Sequence, residues 1–267
     1  MDGDLVEAVL ARLEVGRPAL DLDGLRTVYA AWCEHVPFDN TLKMIHVAEG
    51  RPGPLPGSTA EDFLGSWLEL GTGGTCWAGN GALHDLLAAL GFDVERAIAT
   101  MLRRPDIVGP NHGSVIVAVD GERWIADASI LSGEPIRIGA DGGAAMPHFA
   151  WLGERPAVMW RMLSAPDGFP CRIDRIGATA DEFDALHQAT ARWSPFNFRL
   201  SMRRMRDGET VGAEGAQHFV IRRDDELDVS PLEEGERTRF LVETMGIAES
   251  VARRVPPDRE VPPRPVS

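Results

Sequence analysis

Long apolar runs, cysteine and lysine are scarce in this chain of 267 residues. No stretch approaches the ~18 consecutive apolar residues that a transmembrane helix needs, so we expect no membrane partner. The first four residues include two aspartates and lack the basic and then apolar order of a secretory signal. These absences predict a cytoplasmic protein.

Positive charge is also in deficit. The chain has 27 basic and 41 acidic residues, which gives a net charge of −14, and Lys43 is its only lysine. Because nucleic acids and anionic membranes are bound through a positive field, we expect neither as a partner. Hydrophobic residues make up 44% and charged residues 25%, as in ordinary globular proteins. One large domain or two closely packed ones would fit this length.

Cysteine occurs at positions 33, 76 and 171, without a CxxC motif. An odd and sparse set of this kind is neither a disulfide framework nor a zinc site. The histidines form no HxxxH or HExxH pattern, so we expect no metal. Cys33 falls on an apolar stripe of helical spacing, which indicates a buried thiol.

The order of secondary-structure signals predicts an α+β fold. Residues 1–91 show helical periodicity, with a capping box at 58–61 and a C-cap at Gly91. Short strand candidates follow, among them residues 157–163, and residues 191–254 combine a strand with a helix at 236–247. The proline-rich segment 255–267 should be extended or disordered.

The most informative segment is Gly71-Thr72-Gly73-Gly74-Thr75-Cys76. A cysteine that opens a helix directly after glycines meets exposed N–H groups and the positive end of the helix dipole, which favour a thiolate and an oxyanion. A glycine turn followed by an incidental core cysteine is the alternative. The segment is not a phosphate loop, because no Gly-Lys-Ser/Thr follows the glycines.

A nucleophilic thiol requires a histidine base and an orienting carboxylate. Asp120-Gly121 predicts a two-residue hairpin turn in which the numbers of opposed residues sum to 241. In that register His112 and Asp127 share one face at the open end of the hairpin, as diagonal neighbours. The pair therefore completes a predicted catalytic triad of Cys76, His112 and Asp127.

These motifs resemble the arylamine N-acetyltransferase family. The predicted triad falls at the family's Cys-His-Asp positions with similar spacing, and Pro37-Phe38-Asp39-Asn40 resembles its Pro-Phe-Glu-Asn segment. Gly73-Gly74-x-Cys76, with Asn80, resembles the family's Arg-Gly-Gly-Tyr-Cys-Phe-Glu-x-Asn. The clear resemblance spans about residues 25–136.

The resemblance implies a helical bundle at 1–91, a β-barrel at 92–190, an α/β lid at 191–254 and a proline-rich tail at 255–267. It also implies ping-pong acyl transfer from acetyl-CoA, through a thioester on Cys76, to a small amine or aromatic acceptor, with no tightly bound cofactor. Phe38 and Trp77 should form an apolar wall for that acceptor. The predicted substrate-binding residues are Phe38, Trp77, Gly113, Ser129 and Ile130. The predicted binding residues for donor phosphates are Arg203, Arg204 and Arg206, for which a solvated face is the alternative.

The surroundings of the triad differ from the family pattern. The family's Asp-Val-Gly-Phe-Gly becomes Asp127-Ala128-Ser129-Ile130-Leu131, and the Glu after the nucleophile becomes Ala78. The added side chains at Ser129 and Leu131 predict narrower access and weak use of acetyl-CoA with simple anilines. Such divergence suits an acyltransferase or amide synthase of specialised metabolism, whose donor could be an acyl carrier protein thioester. A thiol hydrolase or peptidase with the same triad, and an inactive binding homologue, are the alternatives.

Overall fold

A computed structural model describes residues 1–103, 109–139, 149–162, 165–224 and 226–264. The helical periodicity of the first 91 residues corresponds to a series of helices joined by short loops, with the two-residue strand β1 (Phe38–Asp39) between the second and the third. The helices are α1 (Gly3–Arg12), α2 (Leu22–His35), α3 (Thr41–Ala48), α4 (Ala60–Leu70) and α5 (Cys76–Leu90). As predicted, α5 begins at Cys76 and ends at Gly91, which caps it at a φ of 104°.

The apolar faces of these helices form the main core. Trp32 of α2 stacks on Phe63 of α4, with their ring centroids 5.9 Å apart. The predicted capping box at 58–61 is wrong by one residue, because Thr59 is the N-cap of α4 and its hydroxyl accepts a hydrogen bond from Asp62 N. Ser58 instead donates its hydroxyl hydrogen to the carbonyl of Leu55.

The β-rich middle of the chain forms an antiparallel ladder of seven described strands. Its order is β5-β4-β3-β2-β8-β7-β6, so β5 and β6 are the edges of an open ladder among the described residues. The predicted hairpin register is confirmed, since Val119 opposes Glu122 and Val115 opposes Ala126. The strands are β2 (Asp93–Met101), β3 (His112–Val119), β4 (Glu122–Ala126), β5 (Ile136–Ile138), β6 (Phe149–Leu152), β7 (Arg155–Met162) and β8 (Ala165–Ala178). The prediction of a strand at 157–163 extends to residue 163, which lies outside the described residues.

A second antiparallel sheet joins β1, from the N-terminal helical part, to four strands of the C-terminal part of the chain. Strand β1 pairs with β9, and the order continues β10-β11-β12 among the described strands. Only part of this sheet was predicted, because the arginine-rich β9 lacks a clear apolar alternation. The strands are β9 (Ser201–Arg206), β10 (Glu209–Glu214), β11 (Gln217–Ile221) and β12 (Leu227–Pro231). Helix α6 (Ala180–Ala189) and a 3₁₀ turn at Pro195–Asn197 precede it.

The C-terminal part differs from the single helix predicted at 236–247. Helix α7 (Glu234–Arg239) continues into a π-helical turn at Phe240–Thr244, and the short helix α8 (Glu249–Ala252) follows. The tail is extended and packed as far as it is described, since Arg259 N donates to the carbonyl of Phe198 at 2.8 Å. Trp193 Nε1 likewise donates to the carbonyl of Pro262 at 2.9 Å. The mixed α and β architecture is thus confirmed, whereas the boundaries of the bundle, barrel and lid stay a prediction.

Tyr29 links the helical core to the first sheet. It is buried on α2, and its hydroxyl donates to the carbonyl of Asp127 at 2.9 Å and accepts from Asp127 N at 3.2 Å. The hydroxyl also lies 3.0 Å from Ser132 Oγ. Burial raises the pKa of Tyr29 well above its ordinary value, so the phenol keeps the proton that it donates. Tyr29 therefore holds the turn after β4 from the helical side.

Replacing Tyr29 by Phe removes that hydroxyl and leaves the buried backbone N–H of Asp127 without this acceptor. We expect the free energy of unfolding to fall by about 1–3 kcal/mol, measured by denaturant titration. Ser132→Ala is the matched control, and we expect a smaller loss because Ser132 is only partly buried. An unchanged unfolding midpoint for Tyr29→Phe would contradict this role.

Candidate active site

The segment before α5 places Cys76 through close backbone contacts. Gly73 N donates a hydrogen bond to Asp39 Oδ2, and Phe38 forms a β-bridge with Gly74. A Cβ atom on Gly73 would lie 1.7 Å from the carbonyl oxygen of Pro37, so only glycine fits there. Thr75 is the N-cap of α5, which makes Cys76 the first helical residue. Its side chain is almost fully buried.

His112 and Asp127 form a buried pair at the open end of the β3–β4 hairpin. His112 Nε2 lies 2.8 Å from Asp127 Oδ2, and both side chains are almost completely inaccessible. Burial alone would lower the pKa of His112, but the charge and hydrogen bond of Asp127 and the neighbouring Cys76 thiol raise it above its ordinary value. Burial alone would raise the pKa of Asp127, but His112 lowers it. The geometry therefore favours an imidazolium–carboxylate pair.

The second ring nitrogen of His112 is available to the thiol. Nδ1 is buried and has no hydrogen-bond partner within the described part of the chain. Cys76 Sγ lies 3.9 Å from the carbonyl oxygen of Asn111, the residue directly before His112. Asn111 Oδ1 in turn accepts from Met101 N at 2.7 Å, which fixes the beginning of β3 against the end of β2. The structure thus brings the three predicted triad residues together.

Asn80, one turn after Cys76, connects α5 to both strands of the hairpin. Its Nδ2 donates to the carbonyl of Gly113 at 2.7 Å and to Asp127 Oδ1 at 3.2 Å. Its Oδ1 accepts from Ala128 N at 2.9 Å. The sequence contained a signal for this residue, because Asn80 belongs to the motif that carries the family resemblance. Its amide keeps the nucleophile's helix and the carboxylate in one rigid unit.

The turn after Asp127 holds the carboxylate by backbone donors. Asp127 Oδ1 accepts from Ser129 N at 2.8 Å and from Ile130 N at 3.1 Å. The side chain of Ser129 is buried, and its hydroxyl lies 3.4 Å from Asn80 Nδ2. Leu131 adopts a left-handed φ of 53° and packs into the helical core. Because these two side chains point into packed surroundings, the structure offers no support for the predicted narrowing of access.

The predicted aromatic wall is divided between two places. Trp77 packs against Phe183 of α6, with ring centroids 4.9 Å apart. A Cβ atom on Gly113 would lie 2.7 Å from the Trp77 ring and 2.3 Å from that of Phe183, so Gly113 makes room for this contact. Phe38 instead meets Phe196 edge to face at 5.5 Å. Trp77 and Phe38 therefore belong to separate apolar clusters.

The three arginines of β9 have different environments. Arg203 is buried, with its guanidinium carbon 4.2 Å from the centre of the Trp160 ring and 5.5 Å from that of Phe38. Burial lowers the pKa of Arg203 to about 10. Arg204 Nη1 donates to the carbonyl of Met245 at 3.4 Å, and Arg206 is exposed. Neighbouring side chains of a strand point to opposite faces, so Arg203 and Arg204 do not form one cluster.

Trp160 is a site residue that sequence reasoning missed. Its ring lies edge to face with His112, with centroids 5.5 Å apart, and Arg203 stacks on it. An aromatic residue in a short, mostly apolar strand is ordinarily a core residue, so the sequence contained no signal for this position. Trp160 connects the buried arginine to the imidazole.

The other two thiols are structural. Cys33 and Cys171 are fully buried, and burial raises the pKa of Cys33 to about 12 and that of Cys171 well above its ordinary value. Among the described residues, no three or more His, Cys, Asp or Glu side chains converge in a way that could hold a metal ion. Within the same ranges, no helix combines the length and the apolar character of a membrane span.

Comparisons with known proteins bear on the family and the fold. The N-acetyltransferase family model matches residues 21–141. An arylamine N-acetyltransferase of Mycolicibacterium smegmatis is 31% identical over 216 residues, which cover 77% of this chain and 69% of the relative. One from Escherichia coli is 29% identical over 139 residues, half of this chain and 47% of the relative.

The fold is shared with solved arylamine N-acetyltransferases. The structure from Mycobacterium marinum matches with a TM-score of 0.78 at 18% identity, over 94% of this chain and 98% of the other. The structure from Salmonella typhimurium matches with a TM-score of 0.78 at 18% identity, over 96% and 98% of the two chains. The sequence match to the M. smegmatis enzyme extends well beyond the triad, and it shows that the chain belongs to the arylamine N-acetyltransferase family.

Proposed function

We propose that the chain is an acyltransferase that moves an acyl group from a thioester to a small amine through a thioester on Cys76. Acetyl transfer in general follows from the family. The observation that supports the Cys76 route is the buried His112–Asp127 pair, joined at 2.8 Å beside a cysteine that opens a helix. Such a pair is the environment in which a thiol becomes a nucleophile.

In the first half-reaction His112 takes the proton from Cys76 Sγ, which forms a pair of imidazolium and thiolate, and the thiolate attacks the carbonyl carbon of the donor thioester. The C–S bond to the donor thiol then breaks, and His112 returns the proton to that leaving sulfur. Asp127 stabilises the imidazolium between these two transfers. The N–H groups of the first turn of α5 have no helical acceptor and could bind the oxyanion of the tetrahedral intermediate.

In the second half-reaction the amine nitrogen attacks the carbonyl carbon of the Cys76 thioester. The new C–N bond forms as the C–S bond to Cys76 breaks. His112 accepts the proton that the amine loses, so the imidazolium and the thiolate are restored together. Water in place of the amine would give hydrolysis, and the family to which the chain belongs favours transfer to an amine.

The proposed donor is acetyl-CoA or a related acyl-CoA. One structural relative, the M. marinum enzyme, has been solved in complex with CoA. Arg203, Arg204 and Arg206 stay the proposed groups for donor phosphates, although Arg203 and Arg204 lie in different environments. An acyl carrier protein as donor, and a role in specialised metabolism, stay predictions without support from the comparisons.

The direct test is the intact mass of the protein after mixing with acetyl-CoA, propionyl-CoA and benzoyl-CoA, with and without aniline. We expect the mass of the protein to increase by one acyl group, and we expect Cys76→Ser to abolish this increase. When aniline is added, the acyl group should leave the protein and appear in the amide product. Acyl-enzyme that decays at the same rate without amine would indicate a hydrolase. No acylation with any of these donors would contradict the proposal.

Cys76 should be the most reactive thiol of the folded protein. Limiting iodoacetamide near neutral pH is expected to label Cys76 first, because Cys33 and Cys171 are fully buried and their pKa values are raised. Peptide mapping measures the order, with Cys76→Ser as the control that should lose the fast phase. Faster labelling of Cys33 or Cys171 would refute the assignment.

Asp127→Asn should leave the fold intact and slow acyl transfer on the order of 10²–10⁴-fold, because the imidazolium loses its carboxylate. Single-turnover acylation of Cys76 is the measurement. Residues that act as a unit are not additive, so in a Cys76→Ala background, where the residual rate of amide formation is measured instead, the same change should cost little more. Asp181→Asn, on the exposed first turn of α6, is the matched control. A fully active Asp127→Asn enzyme would rule out the triad.

A further inference from the structure

Lys43 is a buried cation on a segment that is fixed to the nucleophile's loop. It lies in the first turn of α3, directly after β1, whose Phe38 bridges to Gly74. Asp39 joins the two segments, because its carboxylate accepts from Gly73 N and from Thr41 N. The backbone of Lys43 is thus held at a set position relative to the loop that ends at Cys76.

The ammonium of Lys43 crosses to α6. Its Nζ donates to Thr190 Oγ1 at 2.7 Å, and Thr190 Oγ1 donates onward to the carbonyl of His187. Helix α6 packs on the first turn of α5 through Phe183 and Trp77. Lys43 therefore bridges two elements that both contact the beginning of α5.

No carboxylate neutralises this charge within the described residues. Lys43 has one hydrogen bond there and no ion pair within 4.0 Å, although its side chain is almost fully buried. An ammonium has three donors, so two directions remain for other acceptors. Burial lowers the pKa of Lys43 to about 8, while a negative charge on Cys76 raises it. The nearby His187, whose pKa burial and Lys43 together lower to about 4, adds no negative charge.

A purely structural bridge does not explain a lysine at this position. Burial of an unpaired charge is costly, and apolar residues of similar volume commonly replace buried charges without loss of stability. Apart from the histidines, all the other basic residues of the chain are arginines. Lys43 therefore carries its only compact side-chain ammonium. A compact ammonium with unused donors suits a small oxyanion such as a carboxylate.

We propose that Lys43 binds a carboxylate on a substrate whose reacting group lies at Cys76, which makes Lys43 a specificity-determining residue. This inference rests on the function proposed above. The carboxylate could be carried by the acyl group of the donor or by the amine acceptor. The chemistry of recognition is the same in both cases, and the experiment separates them.

The donor arm compares Cys76 acylation by acetyl-CoA, malonyl-CoA and succinyl-CoA in rapid-mixing mass spectrometry. The acceptor arm compares aniline with 3- and 4-aminobenzoate at a fixed acyl donor. Lys43→Gln removes the charge, and Arg253→Gln removes one exposed charge directly after α8 as a matched control. In one of the two arms, we expect Lys43→Gln to slow the reaction of the carboxylated substrates about 10- to 100-fold relative to that of the neutral ones. This is the effect expected when a hydrogen bond to a charged group is removed.

The inference would be overturned if Lys43→Gln slowed neutral and carboxylated substrates equally in both arms. It would also be overturned if Lys43→Gln slowed no substrate in either arm. Acylation of Cys76 without any discrimination by charge would leave the proposed function standing and remove only the role of Lys43. Absence of acylation by every donor would remove the proposed function itself.

Lys43→Met separates binding from structural support, because it keeps the aliphatic chain and removes only the ammonium. We expect a melting temperature equal to or above that of the wild type, together with the same loss of discrimination. A lower melting temperature, together with equal slowing of the reactions of neutral and carboxylated substrates, would assign Lys43 to the bridge between α3 and α6. That result would overturn the inference.

Discussion

The buried hydrogen bond between His112 and Asp127 is the contact on which the rest of the site depends. In an apolar interior, burial disfavours the charged form of each group. At a distance of 2.8 Å, each side chain stabilises the charge of the other. That is possible only if the strands are in the correct register, since a shift by one residue would turn the two side chains to opposite faces. Tyr29 and Asn80 secure the carboxylate's turn from the helical side.

Cys76, the proposed nucleophile, is positioned by a different kind of constraint. Cys76 opens α5 because the glycine loop before it passes within van der Waals distance of the backbone at Pro37, where a Cβ atom would not fit. Asp39 bonds to that loop and to the beginning of α3. This junction ties the loop before Cys76 to β1 and α3, and small backbone changes there would move sulfur relative to imidazole. Such sites lose rate rapidly when displaced by about an ångström.

This acidic protein buries two cations near Cys76, and its positive potential is concentrated at that place. The net charge of −14 gives no general attraction for anionic substrates, whereas Arg203 and Lys43 are both buried near the site. Each is held by a different device: Arg203 by the rings of Trp160 and Phe38, and Lys43 by the hydroxyl of Thr190. Positive potential at the site is therefore a local property and does not follow from the net charge of the protein.

The sequence by itself determined the features that arise from neighbours along the chain. The turn at Asp120-Gly121 specified the hairpin register, the periodicity before Gly91 specified α5, and both placed the triad. The tertiary structure alone decided which distant side chains meet it. Trp160 against His112, Arg203 against Trp160, and Lys43 against Thr190 all join segments far apart in the chain. Periodicity and turn chemistry report on contacts within a few residues, while these contacts depend on how whole elements pack, which no local pattern encodes.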